Sequence, residues 1–212
     1  MDTEYTHIAV LLDRTGSMEV IRDDTIGGFN AFLAQQQAAP GKATLTLVQF
    51  DSQDPYEVLQ RFAPLAQVPP LTADSYVPRA ATPLLDAMGR AIIDLGRHLD
   101  ALPVAVRPAR VIMVVITDGH ENASVEFRKA QVAQLVAEGQ SAGWEFVFLG
   151  ADLAGIADAH AVGVRDVNTL AFRRDAGGAS AAYESLSDNL TARRSGLKRD
   201  MSFTDEDRGK QR

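Results

Sequence analysis

The sequence predicts an α/β protein built on a doubly wound, mostly parallel sheet, and three observations predict it. Residues 8–12, 111–116 and 144–149 are apolar at nearly every position, as strands buried on both faces of a parallel sheet are. Helix-length amphipathic patterns alternate with these runs, which is the order of βα units. Asp13, Asp118 and Gly150 stand at or just past the ends of the three runs, on the edge where such sheets bind ligands.

Each element has its own signal. Residues 8–12 form the first strand, ending in Asp13, and 20–38 carry a helical pattern interrupted by Gly27 and Gly28. That pair lacks the lysine and spacing of a phosphate loop and is read as a local bend or a point of close packing. Residues 42–50 and 56–62 are strand-like and separated by Asp51, Ser52, Gln53, Asp54 and Pro55. So short a join makes a hairpin rather than a parallel crossover, so the second strand is antiparallel and lies at the sheet edge. Asp51 and Asp54 are read as turn formers.

A proline-rich loop over 63–81 leads to Thr82. Pro83 suits a first helical position and Thr82 the cap before it, so a helix is expected over 83–102. Leu84, Leu85, Met88, Ile92, Leu95 and Leu99 share its buried stripe. Strand four (111–116), a helix over 127–142 and strand five (144–149) follow. Phe146 and Phe148 with Trp144 read as sheet core. A short helix (153–160), a last strand (164–172) and a closing helix (179–197) complete one domain over residues 1–197. Residues 198–212 are charged and weakly hydrophobic, and are expected to be a frayed tail.

Bulk properties bound the function. The 212 residues are 46% hydrophobic, enough for one sizeable core. Twenty-one basic against twenty-eight acidic residues give a net charge of −7, which disfavours a phosphate-backbone binder, and nucleic acid is not expected as a partner. The chain has no cysteine, which excludes disulfides, thiolate metal sites and a cysteine nucleophile. The start MDTEYTHIAVLLD is acidic with a short apolar run, unlike a signal peptide, and no run reaches membrane-spanning length. A cytoplasmic protein is expected.

Asp13, Thr15, Ser17, Thr82 and Asp118 are the candidate site. Each follows a strand-like run or opens a helix-like one, so all five can meet at one sheet edge. Two carboxylates and three hydroxyls form an oxygen-only set, suited to Mg²⁺, with Mn²⁺ or Ca²⁺ as alternatives. Two carboxylates balance a divalent charge and the hydroxyls add neutral dipoles, leaving the ion able to accept a further anionic oxygen. Gly16 lets the alternating Asp13, Thr15 and Ser17 turn toward one point. Singly, Thr82 and Ser17 also read as helix caps and Asp118 as a strand-end turn.

The motifs D-x-T-G-S (13–17), T-P-L (82–84) and T-D-G-x-E-N (117–122) resemble the von Willebrand factor type A domain. The likeness extends over most of residues 5–172 and looks like a free-standing bacterial or phage member. It implies a Rossmann-like fold with strand order 3-2-1-4-5-6, helices on both faces and a complete metal-ion-dependent adhesion site. In that site Thr15 and Ser17 are direct ligands, Thr82 is direct or water-mediated, and Asp13 and Asp118 act mainly through water. The implied sixth ligand is an Asp or Glu of a partner protein. Family analogy names an AAA-type ATPase, a stress-response or a secretion component. In adhesive members the closing helix shifts with ligand engagement. Arg14 departs from the smaller residues frequent at its position and is expected to be solvated, or to steer an acidic partner.

Rival chemistries lack residues. A Mg²⁺-dependent phosphohydrolase with Asp13 as nucleophile calls for a second carboxylate two residues on, where Thr15 stands. Hydrolysis by Ser17 calls for a positioned histidine base, and His120 reads as an exposed loop residue. No G-x-G-x-x-G follows the first strand. A noncatalytic, cation-dependent protein-interaction module is therefore expected, with a phosphohydrolase or a purely structural metal as alternatives.

Overall fold

The computed structural model describes residues 2–151 and 153–211. Six strands, β1 (Asp2–Asp13), β2 (Ala43–Phe50), β3 (Glu57–Pro64), β4 (Pro108–Thr117), β5 (Glu145–Gly150) and β6 (Thr169–Ala171), form one sheet. Its order is β3-β2-β1-β4-β5-β6, as the sequence resemblance implies. β1 runs parallel to β2 and β4, and β5 runs parallel to β4 and β6. Only the hairpin partner β3 is antiparallel, at one edge, because its six-residue join leaves no room for a crossover.

Helices α1 (Arg22–Ala38) and α5 (Ala176–Arg194) cover one face, while α2 (Leu84–Ala101), α3 (Lys129–Ser141) and α4 (Leu153–Ala161) cover the other. Alternation along β1 divides its side chains: Ile8, Val10 and Leu12 join the α1/α5 core, Ala9 and Leu11 the α2/α3 core. Every residue of the expected α2 stripe is buried.

Gly28 shows why a glycine pair interrupts α1. A Cβ there would lie 2.3 Å from the Tyr183 ring of α5, whereas one at Gly27 would meet nothing within 4 Å. Close packing is the outcome. Arg194, at the end of α5, donates to the carbonyls of Gln36, Ala39, Pro40 and Gly41, taking up the orphan acceptors where α1 ends.

Three expectations differ. The last strand is only three residues long, preceded by a 3₁₀ turn (Asp166–Asn168). The helix expected from residue 20 begins as a 3₁₀ turn (Gly16–Ile21) that continues into α1. Residues 198–211 are not a frayed tail: Met201 and Phe203 are buried in the α1/α5 core. The Phe203 amide donates to Val167 O and the Met201 amide to Glu145. Thr204 and Asp207 then form a capping box that starts α6 (Asp205–Gly209). Two apolar anchors in a charged segment suffice to dock it.

Candidate metal centre

The register brings the site residues together. Leu12 of β1 pairs with Ile116 of β4, so Asp13 and Thr117 emerge side by side. Thr117 Oγ1 donates to Asp13 Oδ2 at 2.5 Å, and the Thr15 amide donates to Asp13 Oδ1 at 2.6 Å. The D-x-T-G-S turn is stitched to the loop preceding α2: Gly16 N donates to Ala80 O, Arg79 N to Arg14 O, and the Tyr76 hydroxyl to Asp13 O. Ala80 holds a left-handed φ of 60° to make its contact, a conformation that costs a non-glycine residue about 1–2 kcal/mol.

All five candidates converge. Ser17 Oγ donates to Asp118 Oδ1 at 2.6 Å and lies 3.1 Å from Thr15 Oγ1, and Thr82 Oγ1 donates to Thr15 Oγ1 at 3.3 Å. Asp13, Thr15, Thr82 and Asp118 are buried and Ser17 is half-buried. Neither Thr82 nor Ser17 acts as a helix cap. Instead, the first amides of α2 are capped from the loop after β4: Leu85 N donates to Glu121 and Asp86 N to Ser124 Oγ. Thr82 N donates to Asn122 Oδ1. Glu121 and Ser124 thus take over the capping, Asn122 holds the Thr82 backbone, and the Thr82 hydroxyl is left for the site. Asp86 returns the contact by accepting from the amides of Val125, Glu126 and Phe127.

The donor set fits an octahedral oxygen site. Adjacent ligands around Mg²⁺ at about 2.1 Å lie roughly 3 Å apart, and around Ca²⁺ at about 2.4 Å roughly 3.4 Å apart. The hydroxyl spacings of 3.1 and 3.3 Å fall within that interval. Gly119 lines the same space, since a Cβ on it would lie 3.1 Å from Thr82 Oγ1, 3.5 Å from Ser17 Oγ and 3.9 Å from Asp13 Oδ2. Among the described residues no cluster of three or more His, Cys, Asp or Glu side chains could hold a metal. The site has two carboxylates, and its other oxygens are hydroxyls.

Electrostatics point the same way. Burial pushes the Asp13 carboxyl up to about 7, with Asp118 adding to the rise, against hydrogen bonds from Thr117 and Thr15. Burial also raises Asp118, opposed by Ser17 and Arg174. Two buried carboxylates with raised pKa values are a place where an added cation is stabilising.

Two arginines behave unlike the sequence reading. Arg14 is not solvated: it is buried, pairing with Asp51 at 2.6 Å, with Glu57, and with Gln49 at 3.2 Å. Its charge is held by the β2–β3 hairpin. Asp51 is the reason, being fully buried and also bound by Arg79 at 2.9 Å and by the amides of Gln53 and Asp54. Turn formation and ion pairing use the same carboxylate. Arg174, unnoticed in the sequence, reaches from the loop after β6 to Asp118, with Nη2 2.7 Å from its carbonyl and 2.8 Å from Oδ2. His120 is half-exposed and faces Asp158 at 3.6 Å.

The geometry has solved counterparts. A von Willebrand factor type A protein from Catenulispora acidiphila aligns over 90% of this chain and 43% of its own, at 16% identity and a TM-score of 0.58. The chain has the von Willebrand factor type A fold. Two further type A fold matches carry metals. Mussel proximal thread matrix protein 1 with a zinc-occupied MIDAS motif aligns over 90% of this chain and 47% of its own, at 11% identity and TM-score 0.57. Manganese-loaded TRAP protein of Plasmodium vivax aligns over 82% and 70%, at 13% identity and TM-score 0.54. The chain spans less than half the length of the first two. No protein-family model and no curated protein matches the sequence. Among the described residues no helix is long and apolar enough to cross a membrane.

Proposed function

We propose that this chain is a noncatalytic, divalent-cation-dependent protein-interaction module. Asp13, Thr15, Ser17, Thr82 and Asp118 would hold a Mg²⁺-class ion, with Mn²⁺ or Ca²⁺ as alternatives, whose open position takes an Asp or Glu of a partner protein. The observation that carries the reading is the set of three hydroxyl oxygens spaced 3.1 and 3.3 Å apart between two buried carboxylates. The ion, when bound, supplies an electrophilic centre for an anionic oxygen.

The chain's own residues support binding over catalysis. Asp13 is fully buried and each of its oxygens already accepts a hydrogen bond from within the chain, which favours a carboxylate held in place over an exposed phosphohydrolase nucleophile. Ser17 donates to Asp118, and His120 faces Asp158, so the pair does not form a hydroxyl–imidazole couple. Three exposed valines stand in the segments that supply the site: Val20 beyond Ser17, Val77 in the loop before Thr82, and Val125 in the loop after Asp118. Exposed apolar side chains in the segments that supply a polar centre suit a protein partner. A cytoplasmic partner of the ATPase or stress-response kind belongs to the same proposal.

Calorimetry with Mg²⁺ tests the metal: wild type binds, and Asp118→Ala loses binding. Pull-downs with Mg²⁺ and with chelator test the interaction. Identical partner sets under both conditions would refute metal-dependent recognition, and turnover of phosphate esters abolished by Asp13→Asn would replace it with the enzyme reading.

A further inference from the structure

The Asp118 carboxylate lies between two cationic positions. On one side Oδ1 accepts from Ser17 Oγ, a hydroxyl proposed to touch the ion, and on the other Oδ2 lies 2.8 Å from Arg174 Nη2. The Asp118 side chain is fully buried, whereas that of Arg174 is 44% exposed, so the guanidinium reaches into the site from its open rim. Among the described residues Asp118 is the only ion-pair partner of Arg174, and a guanidinium carries five N–H donors. Arg174 is also held in place. Phe172 before it is buried and donates its amide to Gly150 O, and Asp175 after it caps α5 by accepting from Gly178 N.

We infer that Arg174 is the second half of a carboxylate clamp, the ion taking one oxygen of a partner's Asp or Glu and Arg174 the other. The inference rests on the proposed metal site. Its charge arithmetic is simple: Asp13 and Asp118 balance a divalent ion, and Arg174 leaves the loaded site one positive charge in excess, matched by a single carboxylate. Asp118 spans the ion position and the guanidinium from inside the protein. A carboxylate arriving from solvent spans the same two centres from outside, and a planar fork beside a metal selects carboxylate over a neutral oxygen donor. The same arginine repels the ion, so it favours the complete ternary assembly at the expense of the metal alone.

Arg174→Gln therefore has opposite effects on two ligands. In calorimetry with Mg²⁺ alone it tightens binding by about three- to tenfold through loss of the repulsion. With the protein loaded with Mn²⁺, acetate is the probe, read by paramagnetic relaxation of its methyl protons. Arg174→Gln weakens acetate binding by about five- to tenfold, and Arg174→Lys, which keeps the charge without the fork, falls between. Circular dichroism verifies folding of each variant, and Arg174→Lys serves alone if the glutamine variant does not fold. Unchanged acetate affinity with metal still bound overturns the clamp and leaves the metal site standing. A loss of Mg²⁺ affinity in Arg174→Gln reduces the arginine to an orienter of Asp118 and also overturns it. Failure of wild type to bind either metal removes the metal site and the clamp together.

Discussion

Alanine at Gly27 and at Gly28 should move stability in different directions, although the two residues are neighbours in one helix. Each replacement gains about 0.8–1.0 kcal/mol of helix propensity. At Gly27 nothing opposes the gain, because the added Cβ meets no atom within 4 Å. At Gly28 the Cβ would stand 2.3 Å from Tyr183 Cδ2 and 2.9 Å from Cγ and Cε2. Carbon atoms rest about 3.5–4.0 Å apart, so the ring must retreat by more than about 1 Å. Tyr183 is buried where α1 and α5 pack against each other, so its ring has to shift within that packing. Overpacking of this kind costs about 1–3 kcal/mol. The propensity gain is common to both variants, so the difference between them isolates that cost. For a chain of this size it corresponds to a melting-temperature gap of about 2–12 °C. Thermal unfolding of both variants beside wild type measures it. A Gly28→Ala protein melting at or above Gly27→Ala would refute the packing account of this glycine pair.

Gly119→Ala places a methyl group among Thr82 Oγ1, Ser17 Oγ and Asp13 Oδ2. It should weaken Mg²⁺ binding by about 10–100-fold with little change in melting temperature, as read by calorimetry beside a thermal scan. Arg14→Ala leaves buried Asp51 with Arg79 as its remaining guanidinium and should destabilise by about 3 kcal/mol in urea titration. Arg79→Ala, whose side chain is 41% exposed, should cost less, about 1 kcal/mol. The metal-free protein should lose stability as pH rises from 6.5 to 8. The Asp13 pKa is raised on folding to about 7, so its protonated form favours the folded state at low pH and that contribution disappears as pH passes 7. The window begins at 6.5 because His7, lowered on folding to about 3, removes stability as pH falls below its ordinary value. Chelator-treated melts of wild type and Asp13→Asn measure the effect, and a slope that persists in Asp13→Asn would assign it elsewhere.

Local sequence was enough for the parts of the fold whose causes are local. Continuous apolar runs marked the parallel strands, and the short Asp51–Pro55 join marked β3 as antiparallel. The site was legible because Asp13, Thr15 and Ser17 lie within five residues, and Thr117 to Asn122 form one contiguous segment. Features decided by distant partners were not legible. Arg14 is buried because Gln49, Asp51 and Glu57 wait for it on another strand pair. Arg174 lies 56 residues from Asp118 with no motif of its own. Thr82 looked like a cap, and its release from that role depends on Glu121 and Ser124. Met201 and Phe203 were hidden by the charge around them, since average composition does not reveal that two anchors find a groove.

The capping of α2 by Glu121 and Ser124 bears on how quickly the site can be occupied. The Asp118 segment is fixed by hydrogen bonds to a helix terminus, and that helix accepts no cap from the site residues themselves. Its conformational entropy is surrendered when the chain folds, so little ordering remains for the moment of association. Stopped-flow traces with Mg²⁺ should accordingly show a single phase linear in concentration, without the plateau that a slow isomerisation step imposes.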